Sequence, residues 1–150
     1  DYYQKVEEKP WMLDHCSPII GIREGARIVG RYVLTVEDLI AGREFEDAVA
    51  MSEWHLDHAN YQGQREVPPY QIPLRCLIAR DVQNLFMAGR CFSGDWHALS
   101  SARVSTTGSM MGQAAGIAAA VAARKGGNAH NLDPLQVRHI VEERGSKLTT

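Results

Sequence analysis

The chain contains no G-x-G-x-x-G. Thirteen glycines are spread over 150 residues, and none has the spacing that lets a strand, a tight turn and a helix start cradle a pyrophosphate. Gly25 to Gly30 and Gly108 to Gly116 are spaced differently. Charge of one sign is also missing. Sixteen Lys and Arg against eighteen Asp and Glu give a net charge of -2, which leaves no basic footprint for nucleic acid and no polybasic membrane signal. Cysteine is scarce. Cys16, Cys76 and Cys91 are odd in number and form no C-x-x-C pair, which argues against a disulfide framework and favours a reducing, cytoplasmic setting. Long apolar runs are absent too. The longest, Ala114 to Ala123, is bounded by Gln113 and Arg124 and falls well short of the roughly 20 residues a bilayer requires. The opening DYYQKVEEKP is polar and acidic, unlike a secretory signal.

What remains is an ordinary globular composition, 45% apolar and 23% charged, enough for one packed domain. The densest information lies in NLFMAGRCFSGDWHALSSARVSTTGSMMGQAAGIAAAVAA, Asn84 to Ala123. It reads as a buried strand, a glycine turn at Ala88-Gly89-Arg90, a polar loop carrying Trp96, His97 and Arg103, and a helix from about Thr106 to Ala123. Gly108, Gly112 and Gly116 recur every four residues and share one helix face. Each glycine costs about 1 kcal/mol against alanine within a helix, so the stripe implies a close neighbour. That neighbour is a partner helix in a membrane, which the short apolar run argues against, a packed sheet, or a cofactor at the helix start; the last two are compatible.

Elsewhere the pattern predicts strands at Pro18 to Ile22, Arg27 to Leu34, Phe45 to Met51, Glu53 to Asp57, Leu74 to Ala79 and Leu85 to Ala88. Thr35-Val-Glu-Asp38 has capping-box spacing for a short helix stopped by Gly42. Asp133 as N-cap and Pro134 at the first helical position start a last helix that ends near Arg144, before Gly145. Tyr61 to Pro73, with three prolines, reads as a loop. His55-Leu-Asp-His58 contains good metal ligands. On a strand, however, His55 and His58 point to opposite faces, so no metal is expected, and a metal-dependent enzyme using His55, Asp57 and His58 is an alternative only.

NLFMAGR, HALSSARV and GQAAGIAAA, preceded in order by GIREGARIVGRYVLTVEDLIAGREFEDAVA (Gly21 to Ala50) and YQIPLRCLIA (Tyr70 to Ala79), resemble the closing segment of the FAD-dependent oxidoreductases. These are a branch of the two-dinucleotide-binding-domain flavoproteins. The resemblance implies an α+β fragment that completes an FAD-binding α/β domain begun upstream, where the missing fingerprint would lie. Residues 1–69 would belong to a substrate or cap region, 70–125 would return into the FAD-binding domain, and 126–150 would form a C-terminal helix. The reaction implied is hydride transfer between a small organic substrate and FAD.

The same resemblance places Ala88, Gly89, Arg90, Ser105, Thr106, Thr107, Gly108 and Gly112 on the cofactor. Related flavoproteins often carry an acidic residue after the turn glycine; here Arg90 stands instead, either on the pyrophosphate or as a surface charge. His97 and Arg103 are spaced like the His and Arg that fumarate-reductase-like flavoproteins place over the flavin, one to move a proton and one to hold a carboxylate or oxyanion. Asp57 and His58 fall on the substrate side. As a different class, the glycine stripe alone would make the chain a non-catalytic dimerising module.

Overall fold

The computed structural model describes residues 5–8, 10, 12–57 and 66–149. Four α-helices and one two-stranded antiparallel sheet make up the regular structure of these residues, an α+β arrangement. Helix α1 (Val36–Ile40) begins as the sequence indicates. The Thr35 hydroxyl accepts from the Asp38 backbone N–H, and the Asp38 carboxylate accepts from the Thr35 N–H in return.

Strand β1 (Ala48–Ser52) pairs with β2 (Tyr70–Pro73), aligning Ala50 with Ile72 and Ser52 with Tyr70. A register shift between Ala48 and Ala50 leaves Val49 as the extra residue. All four residues of β2 are buried. This corrects the end of the expected proline loop: Pro73 closes a strand, which is allowed because the sheet has only two strands and both are edges. Residues 61–65 of that loop lie outside the described residues.

Helix α2 (Trp96–Ala102) occupies the segment read as a polar loop. Asp95 caps it and a neighbour as well, since its carboxylate accepts from Ala98 N at 2.7 Å and from Val36 N, the start of α1, at 2.9 Å. Helix α3 (Ser105–Arg124) follows after two residues. It buries Thr107, Met111, Ala114, Ala118, Val121 and Ala122, a stripe at three- and four-residue intervals. This face packs on β1 and on α4 (Pro134–Glu143), which buries Val137 and Val141. The core runs through all of these elements, from Leu34 to Leu148.

Most of the other expected strands are not formed. Residues 30, 34, 78 and 79 make only isolated bridges, Gly30 with Ala79, Leu34 with Gly94 and Ile78 with Phe86. Leu74–Cys76 is a single 3-10 turn, and residues 53–57 are irregular. Apolar alternation prepares a segment for a ladder, but a ladder requires a neighbour in register. No described helix is long and apolar enough to cross a membrane.

Candidate functional site

The α2–α3 elbow organises the site. Arg103 is the C-cap of α2, its backbone N–H reaching Leu99 O at 3.0 Å, and Val104 is extended before α3 begins. Val104 has no side-chain acceptor and offers no cap. The first backbone N–H groups of a 20-residue helix therefore lack a capping side chain, at the end where the helix dipole is positive.

Arg103 is nearly enclosed, its side chain 11% exposed, and both ends of its fork are engaged. One terminal nitrogen donates to the Glu24 carboxylate. The other donates to Asp57 Oδ2 at 2.8 Å and to the Asp57 backbone carbonyl at 3.3 Å. Arg23 approaches the same Asp57 oxygen at 3.4 Å. The hydrogen bond from Arg103 holds the Asp57 carboxyl below its ordinary range, against a smaller opposing effect of burial.

Around these groups lies an open cavity of about 610 Å³ lined by Arg23, Trp54, Asp57, Arg90, Arg103, Val104 and Ser105. A second cavity of about 450 Å³ borders the other side of the helix start, with Thr106, Thr107, Met110 and Lys147 in its wall. Trp54 and Val104 line both. Of the expected residues, Asp57, Arg90, Arg103 and Ser105 thus meet in one cavity and Thr106 and Thr107 in the next.

Gly89 lies beside the same helix start. It opens a 3-10 turn (Gly89–Cys91) at φ +69°, a left-handed conformation that favours glycine. A Cβ placed on Gly108 would meet the Gly89 Cα at 3.8 Å. The segments around Ala88 and Ser105, separate in sequence, are therefore neighbours.

Other expectations fare differently. His97 lies in the first turn of α2, where its ring stacks on Trp96 at 14° and 6.4 Å, and it does not line the Arg103 cavity. Gly112 and Gly116 have nothing within 4 Å of an added Cβ, so no described part of the chain makes the close approach that the stripe implied. His58 lies outside the described residues. The strand geometry used to separate His55 from His58 does not hold, because residues 53–57 are irregular. Among the described residues no group of three His, Cys, Asp or Glu could hold a metal ion.

Sequence reasoning gave no role to Arg23 and Glu24. They lie within the GIREGAR motif, but their partners are 34 and 79 residues away, a pairing that no local spacing announces.

The sequence model of the FAD dependent oxidoreductase family matches residues 2–142, nearly the whole chain, and the protein belongs to that family. No curated protein and no solved structure matches it. The residues present suit part of such a cofactor. The uncapped start of α3 offers backbone donors to an anion or a polarised carbonyl, and the Gly89 turn beside it brings backbone close without a side chain between.

Proposed function

We propose that this chain supplies the C-terminal part of the FAD site of an oxidoreductase that transfers a hydride between a small organic substrate and FAD. The observation that supports this reading most is the uncapped start of α3 beside the Gly89 turn, opening on two cavities. Bound FAD would supply the hydride acceptor or donor, and the protein would orient and polarise.

On this reading the backbone of Ala88, Gly89 and Arg90 lines the cofactor from the turn, while the Arg90 side chain reaches away to the Ile22 carbonyl. The first-turn backbone N–H groups of Ser105, Thr106 and Thr107 donate to it, and Gly108, whose own N–H is held by Val104 O at 2.9 Å, lets it approach without a side chain. Those donors favour whichever form carries more negative charge at the atoms they meet. Gly112, open on its outer side, belongs to the face on which the dinucleotide-binding portion packs. Asp57, His58 and Arg103 border the substrate, and His97, which lies off the Arg103 cavity, serves the proton that accompanies hydride movement from outside that cavity.

An absorbance spectrum of the intact protein tests the reading. A visible flavin band that bleaches anaerobically with an organic reductant substrate is expected. A pure protein that neither carries nor takes up FAD would leave the dimerising module as the better account.

A further inference from the structure

The two ends of the Arg103 fork are already committed, to Glu24 and to Asp57. A substrate anion at that fork competes with two of the chain's own carboxylates. Arg23 and Arg90 are different. The Arg23 side chain is 74% exposed, and its one contact among the described residues is the 3.4 Å approach to Asp57. Arg90 donates to the neutral Ile22 carbonyl and pairs with no described carboxylate. That bond ties Arg90 to the residue next to Arg23.

Both arginines line the 610 Å³ cavity, and both also line an adjoining 300 Å³ cavity with Glu24 and Cys91. Among the described residues lining the two cavities, three guanidiniums meet two carboxylates, an excess of one positive charge. A guanidinium matches a carboxylate or phosphate with paired donors. A cleft carrying net positive charge concentrates such anions from solution. The exposed ring of Trp54 in the same wall offers a flat apolar surface for the organic remainder of a ligand.

We propose that Arg23 and Arg90 form an anion subsite that binds a carboxylate- or phosphate-bearing organic substrate. This rests on the oxidoreductase reading for the word substrate, but binding can be measured without turnover.

The test is isothermal titration calorimetry of the intact protein, FAD-saturated and FAD-free, with succinate and inorganic phosphate as probes. Binding of at least one probe to the FAD-saturated protein is expected, with affinity falling at least tenfold in Arg23→Gln/Arg90→Gln and being largely retained in Arg23→Lys/Arg90→Lys. If the double glutamine variant does not fold, Arg23→Gln alone, at an exposed position, carries the test with an expected loss of several fold. Wild-type affinity in these glutamine variants would overturn the proposal, as would absence of binding to the wild type. Binding only to the FAD-free protein would also overturn it, by assigning the arginines to the cofactor's own phosphates. A flavin-free protein that binds the probes through these arginines would instead count against the oxidoreductase reading while leaving the subsite in place.

Discussion

Asp57 Oδ2 sits 2.8 Å from a terminal nitrogen of Arg103, joining an irregular segment to the elbow between α2 and α3 across 46 residues. Glu24 takes the other end of the same guanidinium, so one side chain holds two separate stretches of chain at the cavity wall. Arg103→Lys keeps the charge but offers a single ammonium in place of a planar fork. Flavin reduction by substrate should slow at least roughly tenfold, a loss of about 1.4 kcal/mol or more in the barrier, while FAD remains bound. Stopped-flow reduction at a matched flavin content is the measurement, and an unchanged rate would leave Arg103 a purely structural clamp.

Asp57 also makes a prediction in pH. Its carboxyl is held below the ordinary range in the folded state by Arg103, so its stabilising contribution is present above the unfolded value near pH 4. The contribution is lost as pH falls through the lower folded value. The carboxylate is substantially exposed, so the effect is small. Asp57→Asn should lower the Tm slightly at pH 6, and the gap to wild type should narrow steadily as pH falls below about 4. A gap that widens in acid would contradict the pairing.

Tyr32 predicts the opposite limb. Burial, followed by its hydrogen bond to Asp38 at 2.8 Å, pushes its phenol up to about 12, although Arg43 pulls the other way. Because the folded phenol holds its proton more tightly, stability falls as pH rises from about 10 towards 12. Tyr32→Phe removes the bond donated to Asp38 and the one accepted from Arg43 at 3.1 Å, should cost about 2 kcal/mol at neutral pH, and should flatten that alkaline decline. Denaturant unfolding at pH 7 and pH 11 compares the two.

The flavin potential reports on the start of α3. Val104 is extended, with φ -69° and ψ 153°, and Ser105 is the first helical residue. This is the setting that accepts proline with least strain. Thr107, two residues later, is a poorer place for it because its side chain is buried. Ser105→Pro removes one N–H. If that group donates to the flavin, loss of about 1–3 kcal/mol should lower the two-electron midpoint by roughly 20–60 mV with the fold retained. An unchanged midpoint in a flavin-loaded variant would show that the Ser105 N–H does not reach the ring.

Gly112→Leu tests the open face of α3. Gly112 is exposed and nothing described lies within 4 Å of an added Cβ, so the new side chain starts into open space. If the dinucleotide-binding portion packs there, the flavin-to-protein ratio of the intact protein should fall severalfold. A wild-type ratio would mean that the face is covered only by water.

Helix starts were the most legible part of the fold, because capping is chemistry written into adjacent residues. Thr35 with Asp38, Asp133 with Pro134, and the span of α3 all lie where local pattern puts them. Helix α2 was missed although Asp95 is a good N-cap. Its serines are poor helix formers on their own, and packing of Ala98, Leu99 and Ala102 into the core decides for the helix. The strands failed for a different reason, since Arg27 to Leu34 has the composition of a strand but no continuous described neighbour to pair with. At the candidate site, Asp57, Arg90, Arg103 and Ser105, which the family motifs single out, line one cavity. The grip of Arg103 on Glu24 and Asp57 was not legible, because it exists only once distant segments meet.

One buried amide has a consequence for how far the chain can be shortened. Gln71 accepts from Phe45 N at 2.7 Å and donates to Leu148 O at 2.7 Å, with its side chain enclosed. It works as a clasp whose outer half is the very end of the described chain. Trimming after Gly145 would look harmless, since α4 is already complete, yet it would leave an amide donor stranded in the interior and uncover the pocket that Leu148 fills. The tail is the cover of the β1–β2 ribbon.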